Sequence, residues 1–94
     1  MKVVWMPAAQ RARAAAIAHI KRDDPGAALN QLDEIERQTD RLAEHPDLGR
    51  PAPQAGARRL GIARTPFMIV YRIRPRVQRI EIFRFIHTSQ NWQG

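Results

Sequence analysis

The chain has no cysteine, so neither a disulfide nor a thiolate metal site can form, and a reducing cytoplasm is the expected compartment. Aromatic side chains are scarce, with two tryptophans, one tyrosine and three phenylalanines among 94 residues. No apolar run approaches the roughly 20 residues that a membrane helix requires. A chain of this length has room for one core, so residues 1–94 are expected to form a single domain.

Acidic residues are almost missing from the second half of the chain. Residues 1–49 carry seven basic and eight acidic side chains, whereas residues 50–94 carry nine arginines against Glu81 alone. An arginine-rich surface of this kind favours an anionic partner, either nucleic acid or an acidic protein segment. A GC-rich codon bias would explain the abundance of arginine and alanine, but it would not explain why the acids are missing from one half.

The first half of the chain predicts one strand and two helices. Residues 2–5 are β-branched or aromatic and favour a strand, and Pro7 suits the first turn of an alanine-rich helix over residues 7–22. Asp24 is a good N-cap, so a second helix is predicted over residues 25–43. Because the linker is only two or three residues long, the helices should pack as an antiparallel hairpin.

The second half predicts strands. After a loop rich in proline and glycine, the hydrophobic period changes, and strands are predicted at residues 57–62, 67–74 and 77–86. The predicted fold is therefore α+β, in the order β-α-α-β-β-β, with the helical hairpin packed on one face of a small, mainly antiparallel sheet. The glycines of this half are assigned to turns: Gly49, Gly56 and Gly61.

The last predicted strand carries large apolar side chains at both parities. Ile80, Ile82 and Ile86 share one parity, and Phe83 and Phe85 share the other. Because a helical hairpin covers only one face of a sheet, the second face is predicted to be partly apolar and open. Such a face usually marks a binding site for a partner.

Three strings of this sequence resemble ParE toxins, which belong to the RelE/ParE superfamily of type II toxin–antitoxin systems. They are "LAEHPDLGRP" at 42–51, "IVYRI" at 69–73 and "IEIFRFIHTSQNW" at 80–92, in the order and spacing of that family. "VVWMPAA" is similar to the opening strand and helix start of the family, which usually has a serine or threonine where Met6 stands. The resemblance covers nearly the whole chain and implies the fold predicted above.

The resemblance also implies a function and partners. ParE-type members inhibit DNA gyrase and are neutralised by a cognate, ParD-like antitoxin with an acidic disordered tail, in a toxin–antitoxin hetero-oligomer; neither a cofactor nor a membrane is implied. RelE-type members instead cut mRNA on the ribosome, and a non-toxic relic that only binds antitoxin is a third alternative. Since these activities share one fold, the fold does not choose between them.

A ribonuclease would need an acid, a base and cations around the phosphate. The candidates are His87, because histidine as a residue type can serve as acid or base near neutral pH, with Arg64 and Arg84 as cations. The resemblance to the nuclease branch fails at Met68, where that branch has an arginine, and at Thr88, where it has a tyrosine. We therefore interpret His87 as a structural side chain that bonds to backbone near the edge of the sheet.

Other polar and aromatic residues receive structural interpretations. Ser89 lacks the surroundings of a nucleophile, and His19 and His45 lack the spacing of metal ligands, so no metal site is expected. Trp92 is interpreted as a hydrophobic clamp that folds the tail back.

The strands and their arginines form the predicted antitoxin surface. Arg13 belongs to the apolar stripe of the first helix, where its stem is expected to pack and its head to reach solvent; the alternative is an ion pair with the antitoxin. The residues predicted to bind antitoxin are Arg13, Arg64, Arg72, Arg74, Arg79, Phe83, Arg84 and Phe85.

Overall fold

The computed structural model describes residues 1–89, which form two helices and a five-stranded sheet. The elements are β1 (Lys2–Trp5), α1 (Pro7–Asp23), α2 (Pro25–Asp40), β2 (Arg50–Pro51), β3 (Ala57–Gly61), β4 (Phe67–Arg74) and β5 (Arg79–His87), with 3₁₀ turns at Arg41–Ala43 and Pro75–Val77. The strand order is β1-β5-β4-β3-β2, and every pair is antiparallel except β1 with β5. The predicted α+β fold is confirmed.

The helix ends follow the sequence closely. The Asp24 carboxylate accepts a hydrogen bond from the Ala27 backbone N–H at 3.0 Å, as an N-cap should. Met6 precedes α1 and makes no side-chain cap, in agreement with the absence of serine or threonine there. The last predicted turn of the second helix, residues 41–43, tightens into a 3₁₀ turn.

Two strand predictions needed correction. β2 was missed because it has only two residues, one of them Pro51, which cannot donate to a ladder. β5 begins at Arg79 rather than at residue 77, because residues 75–77 form a 3₁₀ turn and Gln78 then adopts a left-handed backbone with φ of 51°.

A β-bulge at Phe83 shifts the register between β4 and β5. Val70 pairs with Arg84 and Tyr71 pairs with Ile82, so Phe83 has no partner of its own. An extra residue in one strand reverses the alternation of side chains beyond it.

The bulge makes the predicted grouping of apolar side chains wrong. Ile80, Ile82 and Phe85 face the helices and belong to the main core, whereas Phe83 and Ile86 lie on the opposite face. We call this opposite side the outer face of the sheet. Strict alternation placed Ile86 with Ile80 and Phe85 with Phe83, because it took no account of an extra residue in the strand.

The outer face is less open than the sequence predicted. Ala57, Val70 and Ile86 are at most 4% exposed, and Ala52, Met68 and Phe83 pack around them. Part of the cover comes from arginine, since the guanidinium of Arg72 lies 4.7 Å from the centre of the Phe83 ring. The expected open apolar surface on this face is therefore wrong, and the side chains that reach solvent there are mainly cationic.

Tyr71 fastens the loop before β2 to the sheet. Its buried hydroxyl donates to the Pro46 carbonyl at 2.6 Å and accepts from the Gly49 N–H at 2.9 Å, and burial raises the pKa of this phenol. A Cβ on Gly49 would lie 2.6 Å from the Arg59 carbonyl oxygen and 2.9 Å from the Tyr71 hydroxyl. Gly49 is thus required by close packing, whereas Gly56 serves a turn with φ of 72° and Gly61 lies within β3.

Candidate functional site

An apolar groove of about 610 Å³ lies between the helical hairpin and the ends of β4 and β5. α1 forms the wall of the groove and β4 and β5 form its floor. α2 contributes one side chain to the lining. The lining residues are Ala12, Ala15, Ala16, His19, Ile20, Gln31, Pro66, Phe67, Phe85 and His87.

Small and aromatic side chains make this groove suitable for a helix. Ala12, Ala15 and Ala16 lie on one face of α1 at spacings of three and four residues, so no large side chain blocks the approach of a partner. The rings of Phe67 and Phe85 lie 4.8 Å apart, centre to centre, in the floor. Phe85 is thus the one predicted antitoxin-binding residue that lines this groove.

His87 borders the groove and is hydrogen-bonded locally. Its Nδ1 accepts from the Ser89 backbone N–H at 3.1 Å and lies 2.6 Å from the Ser89 hydroxyl. Its ring stands edge-on to Phe67, with the ring centres 5.6 Å apart. These contacts are those expected of a structural histidine that bonds to backbone.

The three ribonuclease candidates do not converge. His87 pairs with Phe67 on the helix side of the sheet, whereas Arg84 pairs with Val70 on the outer face. Arg64 lies in the turn between β3 and β4 and is bound by a carboxylate of α2. A phosphate held by Arg84 would therefore lie across the sheet from His87.

Glu34 joins α2 to the turn between β3 and β4. Its Oε2 accepts hydrogen bonds from Arg64 at 2.7 Å, from Gln38 at 2.6 Å and from Arg37. The bond from Arg64 is the main reason why the pKa of Glu34 falls to about 2. Gln38 completes the link, because its amide pairs with both the N–H and the carbonyl of Ala63, at 2.7 and 2.9 Å.

We expect this link to weaken in acid. Because the pKa of Glu34 is lower in the folded chain than its ordinary value of 4.5, its stabilising effect is complete above about pH 4.5 and is lost as the pH falls toward about 2. The variant Glu34→Gln should melt at a lower temperature than the wild type at neutral pH. The two melting temperatures, followed by circular dichroism, should converge as the pH falls. A difference that stays constant with pH would contradict the assignment.

The predicted antitoxin-binding residues lie on different sides of the molecule. Arg13 stacks over Trp5, with 4.0 Å from the guanidinium carbon to the ring centre, and burial lowers the pKa of this arginine. The cation therefore meets an aromatic ring of its own chain instead of reaching freely into solvent. Arg64 is paired with Glu34 on the helical side.

Four of the predicted arginines do share the outer face, and three of them have partners there. Arg79 and Arg74 pair with Glu81, at 2.6 and 3.6 Å, and Arg72 covers Phe83. Arg84 is exposed.

Sequence reasoning missed two parts of these surfaces. The first helix was predicted to carry an apolar stripe, but its alanines were not recognised as the wall of a groove, because the position of β5 beside α1 depends on the tertiary fold. Arg50 was missed because β2 was missed. Arg59 lies in a predicted strand, but it was not assigned to the outer face because the strand that pairs with it there was unknown. In the sequence, the only signal for this pairing was a short segment that ends in Pro51 and is followed by the arginine-containing strand β3.

No helix in residues 1–89 is long and apolar enough to cross a membrane. That part of the chain also holds no group of three or more His, Cys, Asp or Glu side chains arranged to hold a metal ion. Trp92, interpreted above as a clamp, lies outside the described residues.

The fold defines a small α+β protein with a helical hairpin on a mainly antiparallel sheet, and comparisons with known proteins identify its family. The family described as "ParE toxin of type II toxin-antitoxin system, parDE" matches residues 3–92. The chain therefore belongs to the ParE toxin family of type II toxin–antitoxin systems.

A curated relative and a solved structure agree with this assignment. Y4kP, a toxin candidate of Sinorhizobium fredii (strain NBRC 101917 / NGR234), is 39% identical over 75 residues, which cover 80% of this chain and 75% of the relative. A chain from the chromosomal ParDE TA system of P. aeruginosa superimposes with a TM-score of 0.80 at 27% identity, covering 93% of this chain and 95% of that one.

Proposed function

We propose that this ParE-family toxin inhibits DNA gyrase in the cytoplasm without acting as a ribonuclease, and that a cognate antitoxin neutralises it. The observation that carries the proposal is the separation of His87 and Arg84 on opposite faces of the sheet. Cleavage of RNA would need the acid or base and the cation that stabilises the phosphate charge to act on the same phosphate, within hydrogen-bond reach of it. Met68, on the outer face, adds neither a charge nor a hydrogen-bond donor where the nuclease branch has an arginine.

Purified toxin should block supercoiling by gyrase and should leave mRNA intact on translating ribosomes. The supercoiling assay uses relaxed plasmid, gyrase and ATP, with toxin that has been mixed beforehand with antitoxin as the matched control. Cleavage of mRNA together with unimpaired supercoiling would reverse the proposal in favour of the nuclease.

The variant His87→Gln tests the same point inside the cell. Because His87 is interpreted as structural, the variant should still arrest growth when expressed without antitoxin. Loss of its bond to Ser89 should lower its melting temperature modestly, since a neutral hydrogen bond contributes about 1 kcal/mol. A folded variant that no longer arrests growth would restore His87 to a catalytic role.

The apolar groove is the proposed docking site of the antitoxin. The solved neighbour comes from a ParDE system, and an antitoxin tail that folds into an amphipathic helix would fit the alanine-walled groove of this chain. Its apolar side chains would contact Phe67 and Phe85 in the floor of the groove.

A further inference from the structure

Cations dominate the outer face of the sheet. Within residues 1–89, the register of the strands places seven basic side chains there against the single carboxylate of Glu81. The basic residues are Lys2, Arg50, Arg59, Arg72, Arg74, Arg79 and Arg84. Three of them are already engaged: Arg74 and Arg79 by Glu81, and Arg72 by the ring of Phe83.

The three remaining arginines form a row across the sheet, which we call the arginine row. Arg50 on β2 pairs with Arg59 on β3, Arg59 pairs with Val70 on β4, and Val70 pairs with Arg84 on β5. All three arginines are exposed, and their guanidinium groups make no ion pair or hydrogen bond with any residue in the described range. Val70, between them, is fully buried.

The dimensions of the arginine row suit a phosphate backbone. Neighbouring strands are about 4.8 Å apart, so the row extends about 14 Å from β2 to β5. A row of this length is long enough to contact several phosphates of one duplex. The planar guanidinium group forms bidentate hydrogen bonds with phosphate oxygens.

Other anionic partners fit this face less well. A protein segment that folds on binding needs a large apolar contact, and Val70, the apolar residue in register between the arginines of the row, is buried. A single-stranded nucleic acid needs exposed aromatic rings on which its bases stack. Phe83 is the one aromatic residue of the described outer face, and Arg72 already covers its ring.

We propose that the arginine row binds the phosphate backbone of duplex DNA. The choice of DNA over double-stranded RNA rests on the proposed gyrase function, because gyrase holds duplex DNA where an inhibitor would meet it. The arginine row would then contact the DNA of the enzyme–DNA complex. The apolar groove lies on the other side of the sheet and would stay accessible to the antitoxin.

The test is a fluorescence-anisotropy titration of a labelled DNA duplex of random sequence with the full-length toxin. Three phosphate contacts should give a slope of log affinity against log salt of about −2.7, which is roughly a 40-fold loss between about 50 and 200 mM salt. Each single change, Arg50→Gln, Arg59→Gln or Arg84→Gln, should reduce the magnitude of this slope by about 1. The triple variant should lose binding at least about tenfold.

A matched control removes the same charge elsewhere. Arg11, Arg22 and Arg41 are exposed on the helical side, and their triple change to glutamine should leave DNA affinity within about twofold. Circular dichroism spectra of both triple variants should match the wild type. Equal losses in the two triple variants, or no binding at low salt, would refute the proposal. Tighter binding of double-stranded RNA, single-stranded DNA or polyglutamate would refute it as well.

The proposal that the arginine row binds DNA and the proposal that the toxin inhibits gyrase can be refuted independently. If DNA binding depends on the arginine row but gyrase is unaffected, the binding surface stands and the target is wrong. If gyrase is inhibited equally by the wild type and by the Arg50/Arg59/Arg84 triple variant, the inhibition acts through protein contacts and the arginine row has no part in it.

Discussion

Replacement of Gly49 by alanine is expected to destabilise the toxin by about 3 kcal/mol, at the upper end of the usual cost of overpacking. The new Cβ would lie 2.6 Å from the Arg59 carbonyl and 2.9 Å from the Tyr71 ring and hydroxyl. The first of these is backbone in β3, which cannot move away freely. For a domain of this size the melting temperature should fall by roughly 12 to 24 °C, as measured by circular dichroism or calorimetry.

Gly26→Ala is the matched control for Gly49→Ala. A Cβ at Gly26 meets its nearest atom, an Asp24 carboxylate oxygen, at 3.5 Å, which is ordinary contact. Because alanine favours helix over glycine, this change near the start of α2 should leave stability unchanged or raise it by up to about 1 kcal/mol. A Gly49→Ala protein as stable as the wild type would show that the loop before β2 can move away from the sheet.

A double-mutant cycle can then attribute the effect to Tyr71. Tyr71→Phe alone removes the hydroxyl that bonds to Pro46 and Gly49. In the Gly49→Ala background the same change also removes one of the clashing atoms. It should therefore lower the free energy of unfolding by less in that background than in the wild type. Equal costs in both backgrounds would mean that the contact between Gly49 and the hydroxyl is not the origin of the strain.

The substitution Ala15→Glu is expected to weaken antitoxin binding on the order of 100-fold while leaving growth arrest intact. Ala15 is exposed and lines the apolar groove, so a charged side chain there would occupy the space proposed for an antitoxin helix and would repel its acidic residues. Such a loss, about 2.7 kcal/mol, is typical of a disrupted binding centre. Calorimetric titration of the purified variant with antitoxin measures it, and coexpression should no longer rescue growth.

Ala14→Glu provides the matched control on the same helix. Ala14 is exposed as well, but it lines a different depression of α1, beside Arg13 and Ile17. The Ala14→Glu change adds the same charge at a neighbouring position outside the apolar groove. Antitoxin should therefore bind this variant as it binds the wild type. If both variants bind antitoxin normally, the antitoxin docks elsewhere than in the groove.

The local signals in the sequence predicted most of the fold. Asp24 and Pro25 mark the start of α2. β4 was predicted with its observed bounds because the side chains of residues 67–74 alternate between the two faces of the strand without interruption. β5 was placed two residues too early at its start, because the 3₁₀ turn at Pro75–Val77 has no clear sequence signature.

The site was harder to predict because it depends on register. A single extra residue at Phe83 moved Phe85 from the predicted outer surface into the groove, and no periodicity in a single strand reveals a bulge that arises from its pairing with β4. Likewise, the arginine row exists only because β2, β3, β4 and β5 are aligned. The excess of arginine in residues 50–94 predicted a cationic surface, but not which of its guanidinium groups would line up on the outer face without a partner among residues 1–89.

The position of β5 in the sheet has a consequence for how the toxin is made. β5 is the last strand in the described part of the chain, yet it lies between β4 and β1, where Lys2 pairs with Arg79 across nearly the whole sequence. During synthesis β1 must wait for residues 79–87 before it can join the sheet, and such distant pairing makes folding slow. Arg84 and Phe85, neighbours in β5, belong to the arginine row and to the apolar groove respectively. Neither surface exists on a partly synthesised chain, so we expect neither of the two proposed interactions before this strand has been translated.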